Sequence, residues 1–163
     1  MLDRNEQAGR EAQPSPSRTS RGLKGDYVLS RTIPTRWMDN DVYGHVNNVV
    51  YYSFFDTAVN AALIERQLLD PAGSPVIGLV VETGCRYHAS LAFPQDVEAA
   101  IRVAHIGKSS VRYEVGLFGV DSDLAAAEGH FVHVYVDRET RRPAPLPAPL
   151  RDFLTTLVRE DAA

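Results

Sequence analysis

The stretch VVYYSFFDTAVNAALI, residues 49–64, is apolar on almost every side of the helix that its spacing predicts. Four polar side chains interrupt it, and at 3.6 residues per turn they fall into one narrow stripe: Ser53, Asp56, Thr57 and Asn60. A helix with so little polar surface has to be buried on most of its sides. We therefore predict a central helix over residues 47–69, ended by the Pro and Gly of residues 70–73.

The segments around this helix have the pattern of strands. One precedes the helix and four follow it: residues 27–33, 76–88, 96–106, 109–120 and 124–137. A short amphipathic helix is predicted at residues 150–158. In a chain of 163 residues, a curved sheet around the long helix is the simplest way to cover it. The order strand, long helix, four strands predicts an α+β domain with one central helix.

The N-terminal segment differs from the rest of the chain in composition. Residues 1–25 are rich in Arg, Glu, Gln, Pro, Ser and Gly, with few large aliphatic side chains. Such a segment buries too little apolar surface to offset the entropy lost on ordering. We predict a flexible tail over residues 1–25 and a single folded domain over residues 26–163.

Composition and charge exclude several classes of function. Acidic residues outnumber basic ones by 21 to 17, giving a net charge of −4, which argues against a nucleic-acid partner. The single cysteine, Cys85, cannot form an intramolecular disulfide and fits a reducing compartment. The chain has no apolar run of ~18 residues that would span a membrane, and its N-terminus has no signal-peptide core. We expect a cytoplasmic protein without a membrane partner.

The loop DNDVYGHVNN, residues 39–48, collects the side chains best suited to chemistry: Asp39, Asp41, His45, Asn47 and Asn48. A calcium loop of the EF-hand type would need its closing Glu where Val50 stands. A transition-metal site would need further His or Cys ligands, for which the chain has no obvious pair. Asp and Asn also cap helix starts and favour the positive end of the helix dipole. Spacing alone leaves capping and catalysis both open.

A carboxylate beside the start of a buried helix supplies two parts of a hydrolytic site. The backbone N–H groups of the first turn have no intrahelical partners, and they can polarise a carbonyl as an oxyanion hole does. The carboxylate can attack that carbonyl or activate a water against it. Cleavage of an ester or thioester needs these two parts, so the loop favours that reaction class.

The segment RWMDNDVYGHVNN, residues 36–48, with Tyr51 and the FFD of residues 54–56, resembles the 4-hydroxybenzoyl-CoA thioesterase-like branch of the hotdog superfamily. Its part DVYGHVNN, residues 41–48, is also similar to the long-chain acyl-CoA thioesterases of that branch. Three later segments agree with the resemblance: GKSS, VYVD and RRP at residues 107–110, 134–137 and 141–143. The resemblance covers approximately residues 26–158.

The resemblance implies the hotdog fold, in which an antiparallel five-stranded sheet wraps around the long helix. It also implies a homodimer with active sites at the subunit interface, and a homotetramer in some members. The family's catalytic carboxylate falls on Asp41, and its carbonyl-polarising backbone N–H falls on or near Asn48. Some members have His where this chain has Asn48, and others have Pro where it has Val42. These departures argue against a histidine-assisted mechanism and weaken the match to the aromatic-substrate type.

Other residues are candidates for supporting roles. His45 is predicted to hold the loop or contact substrate, and Asn47 to cap the helix or face the substrate. Tyr51 is predicted to line the acyl pocket or belong to the core. A turn between two strands holds a cation and two hydroxyls that can meet CoA phosphates: Lys108, Ser109 and Ser110.

The predicted reaction is hydrolysis of an acyl-CoA thioester to a carboxylic acid and free CoA, without a metal or other cofactor. Asp41 is the predicted nucleophile or general base. Two alternatives stay open. One is a hotdog enoyl-thioester hydratase or dehydratase, although its motif of Asp, Asn-Pro and His is not met here. The other is a non-catalytic acyl-CoA-binding module.

Overall fold

The structure of the chain, a computed structural model, describes residues 21–159. Its two helices and five strands are α1 (Val50–Glu65), α2 (Ala148–Thr156), β1 (Leu29–Ile33), β2 (Val76–Tyr87), β3 (Val97–Ile106), β4 (Ser110–Gly119) and β5 (Ala127–Asp137). Short 3-10 turns lie at Lys24–Asp26 and Trp37–Asp39. Within residues 21–159, neither helix is long and apolar enough to cross a membrane.

The five strands form one antiparallel sheet in the order β1-β3-β4-β5-β2. Short connections join β3 to β4 and β4 to β5, so these three strands occupy the centre. The strands β1 and β2, which precede and follow α1 in the sequence, form the two edges. This arrangement confirms the predicted α+β class and the five-stranded antiparallel hotdog sheet.

One face of α1 packs against the sheet. Its buried residues are Tyr51, Phe54, Phe55, Ala58, Val59, Ala62 and Leu63. They share one hydrophobic core with alternate side chains of the central strands, among them Val103, Val115 and Phe131. Full burial of a large apolar side chain stabilises a fold by about 1.5–3 kcal/mol, so this face holds the helix on the sheet.

The opposite face of α1 is left uncovered by residues 21–159. The exposed residues of α1 are Ser53, Asp56, Thr57, Ile64 and Glu65, and Val49 just before the helix is exposed too. The Asp56 carboxylate on this face is exposed and accepts the Asn60 side-chain amide at 3.4 Å. A single sheet covers only one side of a helix, so burial on nearly every side, as the composition of α1 predicted, requires a second surface.

The helix is shorter than predicted, because residues 47–49 form a turn and the chain reverses after Glu65. Gln67 adopts the left-handed conformation with φ of 57°. The N–H groups of Gln67 and Leu68 donate to the carbonyl oxygens of Ile64 and Leu63, both at 2.9 Å. These are the two hydrogen bonds of a Schellman motif, which ends a helix sharply. The turn returns Leu68 to the core instead of extending the helix to residue 69.

Residues 21–25, predicted as part of the tail, contact the body of the domain. Leu23 pairs as an antiparallel bridge with Leu124, and the Arg21 guanidinium donates to the Ala125 carbonyl oxygen at 2.7 and 2.9 Å. The Lys24 ammonium and a Glu98 carboxylate oxygen are 2.7 Å apart. The described fold therefore starts before Asp26. The rest of the predicted tail, residues 1–20, lies outside the described residues.

Gly129 of β5 lets the Phe55 ring of α1 lie directly on the sheet. A Cβ atom at position 129 would lie 2.5 Å from Phe55 Cζ and 2.8 Å from the Gly84 carbonyl oxygen. Because the carbonyl is backbone, no side-chain rotation relieves the second contact. We expect Gly129→Ala to lower the free energy of unfolding by about 1–3 kcal/mol, measured by urea denaturation. Gly25→Ala is the control, since nothing lies within 4 Å of its added Cβ. Equal stability of the two variants would contradict this packing.

Candidate active site

Residues 40–46 form a tight hairpin between β1 and α1, and its two ends pair as an antiparallel bridge. The Asp41 N–H donates to the His45 carbonyl oxygen at 2.8 Å, and the Gly44 N–H donates to the Asp41 carbonyl oxygen at 3.1 Å. Gly44 has φ of +80°, a left-handed conformation that glycine adopts without a steric penalty. This is the geometry of a three-residue hairpin loop with a glycine bulge. The sequence DVYGH therefore dictates the shape of the loop locally.

Asp39 is a structural acid. Its side chain is 1% exposed, and the Arg36 guanidinium donates to its Oδ1 from Nε at 3.1 Å and from Nη2 at 2.8 Å. The Arg36 backbone N–H donates to Oδ2 at 2.7 Å. The Asp39 carbonyl oxygen accepts the Asn47 N–H at 2.8 Å, which ties the hairpin to the helix start. Both carboxylate oxygens are occupied within the chain.

Asp41 has the opposite arrangement. Its half-buried side chain accepts, at Oδ1 alone, the N–H groups of Tyr43 at 2.8 Å and His45 at 3.3 Å. Its Oδ2 has no hydrogen-bond partner anywhere in residues 21–159. One oxygen thus orients the carboxylate, and the other is available to a ligand. Of the two acids in the loop, Asp41 is the one whose geometry fits a reaction.

The start of α1 offers the hydrogen-bond donor that such a reaction needs. Asn47 holds the turn just before the helix, because its Oδ1 accepts the Val49 N–H at 3.2 Å and its carbonyl oxygen accepts the Val50 N–H at 2.9 Å. The Asn48 N–H has no acceptor among the described residues. An unpaired N–H at the positive end of a buried helix is suited to bind a carbonyl oxygen that gains negative charge.

A wall of tyrosines lies behind this helix start. Tyr51 of α1 meets Tyr87 at the end of β2 edge to face, with ring centroids 4.9 Å apart. Burial raises the pKa of Tyr51. Tyr51 is almost fully buried and belongs to the hydrophobic core, and its role in an acyl pocket stays a prediction. Burial also raises the pKa of the half-buried Cys85, so the thiol is protonated and is a poor nucleophile.

The five histidines are spread over the domain. His88 bonds to Glu128 at 2.8 Å and His130 to Glu82 at 2.9 Å, in both cases through Nε2. By strand alternation, His130 points away from α1. His45 contributes its backbone N–H to the hairpin, and its exposed side chain makes no hydrogen bond within residues 21–159. The described residues contain no cluster of three His, Cys, Asp or Glu side chains that would hold a metal ion.

Lys108, Ser109 and Ser110 do not join Asp41 within one chain. The hairpin lies where β3 begins, since the Val46 N–H donates to the Leu91 carbonyl oxygen at 2.8 Å. The turn at residues 107–109 lies where β3 ends, one strand length away. A strand of 10 residues such as β4 spans about 30 Å. The predicted catalytic and phosphate-binding residues therefore occupy opposite ends of the sheet.

Large apolar side chains in and beside the hairpin are exposed in the part of the chain that the structure describes. Their exposed fractions are high: Trp37 81%, Met38 76%, Val42 92%, Tyr43 82% and Val49 62%. We call these five residues the apolar loop patch. Exposed apolar side chains that lie together mark a surface that meets another molecule.

Comparison with known proteins identifies the family. A family model described as "Thioesterase-like superfamily" matches residues 35–154, which is well over half of the chain. The chain belongs to the thioesterase-like superfamily. As the sequence predicted, it is a thioester hydrolase. A search of curated proteins finds no match to it.

Solved structures agree with this family. A protein from Pseudomonas aeruginosa strain PAO1 is 53% identical, with a TM-score of 0.85, covering 87% of this chain and 99% of its own. A candidate thioesterase from Pseudomonas aeruginosa is 28% identical, with a TM-score of 0.72, covering 77% of this chain and 96% of its own. A thioesterase from Thermus thermophilus, solved with coenzyme A and zinc, is 26% identical, with a TM-score of 0.67 and coverages of 81% and 95%.

Proposed function

We propose that this member of the superfamily hydrolyses an acyl-CoA thioester to a carboxylic acid and free CoA, with Asp41 as the reacting carboxylate. One observation carries the proposal: Asp41 presents an unpartnered Oδ2 in the loop that leads to a helix start with an unpaired Asn48 N–H. The Thermus thermophilus relative that was solved with coenzyme A supports a CoA ester as the substrate class.

In the proposed reaction the thioester carbonyl oxygen accepts the Asn48 N–H, which withdraws electron density from the carbonyl carbon. Asp41 Oδ2 either attacks that carbon or takes a proton from a water that attacks it. Negative charge that develops on the oxygen is stabilised by the N–H and the helix dipole. Collapse of the tetrahedral intermediate breaks the C–S bond and gives the carboxylic acid if water attacked, or an acyl-Asp41 anhydride if Asp41 attacked, which a water then hydrolyses to the acid and free Asp41. The CoA thiolate leaves and takes up a proton.

A single turnover in 18O-labelled water tests for a nucleophilic Asp41, because label in the Asp41 carboxylate requires an anhydride intermediate. With a general base, the label enters the acid product and the Asp41 carboxylate stays unlabelled. With a nucleophile, Asp41 and the acyl group form an anhydride. Attack of water on the Asp41 side of that anhydride leaves the label in the protein, where peptide mass spectrometry detects it.

A thiol-release assay over a panel of acyl-CoA esters tests the function itself. A hydrolase releases free thiol, whereas a binding module would bind the esters and release none. An enoyl-thioester hydratase would instead remove the absorbance of an enoyl-CoA without releasing thiol. Hydration needs a histidine with an acidic partner, and the pairs His88–Glu128 and His130–Glu82 belong to the sheet and its connections rather than to the hairpin that carries Asp41. Hydrolysis fits the arrangement better than hydration.

We further propose that the site is completed by a second copy of the chain. The edge strand β2 has no neighbour on its outer side within the described residues, and Leu79, Val80 and Val81 are exposed along it. An apolar, unpaired strand edge is a template for pairing with another strand. A partner copy would also cover the exposed face of α1 and the apolar loop patch. The composition of α1 predicts that this face of the helix is buried, and exposed apolar patches mark surfaces that meet another molecule.

Antiparallel pairing of two β2 edges around a two-fold axis would bring the Asp41 end of one subunit to the Lys108 end of the other. We therefore propose that Lys108, Ser109 and Ser110 bind the CoA phosphates in the site of the partner's Asp41. A cation and two hydroxyls in an exposed turn are suitable ligands for phosphate groups.

Mixed dimers test this arrangement. Asp41→Asn and Lys108→Ala each impair the activity of their own homodimer at low substrate concentration. If each site combines Asp41 of one chain with Lys108 of the other, a mixed dimer contains one intact site. A reassorted 1:1 mixture should then recover about a quarter of the wild-type activity. The measurement is thiol release after joint refolding of the two variants.

The matched control is a mixture of the double variant Asp41→Asn/Lys108→Ala with wild type, whose mixed dimers carry the substitutions on one chain. In the proposed arrangement each of their sites has one impaired component, so they add no intact site. The control should therefore keep only about a quarter of the wild-type activity, from its wild-type homodimers, whereas about half of it, with no recovery in the first mixture, would show that both residues serve the same site from one chain.

A further inference from the structure

Tyr87, which the sequence analysis did not single out, reaches from the end of β2 to the start of α1. Its hydroxyl donates to the Asn48 carbonyl oxygen at 2.8 Å. The ring is held edge to face against Tyr51. Tyr87 is 45% exposed, so it stands at the open side of the site rather than in the core.

The Asn48 carbonyl is a group that the helix leaves without a partner. The helix starts at Val50 with Val49 as its cap, so the Val49 carbonyl is the first to accept a bond from within it. The Asn48 carbonyl precedes it, and the Tyr87 hydroxyl supplies the missing donor. A hydrogen bond to one peptide restricts the rotation of its neighbour, and that neighbouring peptide carries the Asn48 N–H.

We propose that Tyr87 is a positioning residue that holds Asn48 so that its N–H points at the thioester carbonyl oxygen. The inference rests on the proposed function, and it assigns the orientation of the oxyanion-binding N–H to a residue of the edge strand. A preorganised donor needs no reorientation when charge develops on the oxygen, so its effect appears in the rate of the chemical step.

The Tyr87 hydroxyl is suited to act as a permanent donor. Burial raises its pKa, and the nearby Cys85 and Tyr52 raise it further. The phenol is therefore protonated over the whole range in which a thioesterase is assayed. The contact joins residues that are 39 positions apart, so it also fixes β2 against the helix start.

Tyr87→Phe tests the proposal, because it keeps the ring against Tyr51 and removes only the hydroxyl. Loss of a direct oxyanion donor lowers kcat by about 10²–10³-fold, so loss of its positioning should lower kcat by about tenfold. The KM should stay within about twofold, because the groups that bind the rest of the substrate are unchanged. The affinity for an S-alkyl-CoA thioether, which has no carbonyl, should equal that of wild type.

Tyr27→Phe is the matched control. It removes a phenol that lies against Phe118 and has its hydroxyl 3.5 Å from Glu128, remote from Asn48. We expect wild-type kcat in this variant. An unchanged kcat in Tyr87→Phe would overturn the inference, and so would a parallel loss of melting temperature and thioether affinity, which indicates a purely structural role. Asp41→Asn, assayed in parallel, separates this inference from the proposed function. Wild-type activity of Asp41→Asn would contradict the proposed function itself, whatever the result for Tyr87→Phe.

Discussion

Asp41→Asn should lower kcat for acyl-CoA hydrolysis by about 10²–10⁴-fold while the fold remains intact. The amide oxygen of Asn can still accept the N–H groups of Tyr43 and His45, so the hairpin keeps its shape. The position of Oδ2 is taken by an NH₂ group, which can neither attack a carbonyl nor accept a proton from water. Thiol release measures the rate, and circular dichroism with thermal unfolding measures the fold.

Asp39→Asn is the matched control in the same loop. Both oxygens of Asp39 serve Arg36, so this substitution weakens an internal contact and removes no reacting group. We expect a lower melting temperature with kcat close to wild type below the unfolding transition. Wild-type turnover by Asp41→Asn would disprove the assignment, and so would a fall in kcat confined to Asp39→Asn.

The free energy of unfolding should decrease by about 3 kcal/mol as the pH falls from 6.5 to 4, because of His133 alone. Burial lowers the pKa of His133 from 6.5 to about 4, and the side chain is 4% exposed with Nε2 unpartnered in the described residues. The unfolded chain takes up a proton near pH 6.5, whereas the folded chain does so only near pH 4. Acid therefore favours the unfolded state across this window. Above pH 6.5 both states are neutral and the effect is absent.

The surroundings of His133 supply no compensating charge. Its ring lies between Phe131 and Tyr135 along β5, with Tyr113 of β4 beside it. The two tyrosine hydroxyls bond to each other at 2.8 Å, and burial raises both their pKa values, so they stay neutral. Desolvation is the only cause of the shift in the His133 pKa.

Urea denaturation at several pH values tests this effect. His133→Phe keeps an aromatic ring in the core and removes the buried nitrogen, so its stability at neutral pH should equal or exceed that of wild type. Between pH 6.5 and 4, the free energy of unfolding of His133→Phe should fall by about 3 kcal/mol less than that of wild type. His105→Gln, at an exposed position on β3, should keep the wild-type decline. Identical pH profiles for wild type and His133→Phe would show that His133 is not the titrating group.

The central helix and the five strands were predictable because their signals are local and repeated. The period of the apolar residues reports the helix, and alternation reports the strands, each over several consecutive positions. The residues at which the helix begins and ends were less predictable than the helix itself. Asn47 caps a turn outside the helix, and a left-handed Gln67 ends it, although neither residue type requires that conformation.

The hairpin of the candidate site could be predicted from the sequence only in part. The glycine bulge follows from the order of residues 41–45, so the sequence alone predicts a tight polar loop before the helix. The choice between its two acids followed from family resemblance, since Asp39 and Asp41 are chemically identical. In the structure the difference is physical: Arg36 folds back on Asp39, and only Asp41 keeps an unengaged oxygen.

The sequence carries the fold class, the buried helix and the loop, because each depends on contacts within a few residues or on a periodic pattern. Only the tertiary structure separates Lys108 from Asp41 by a strand length and joins Tyr87 to Asn48. These relations depend on which strands become neighbours and in what register. Pairing of that kind is set by the collective packing of the core against α1, and no spacing along the chain encodes it.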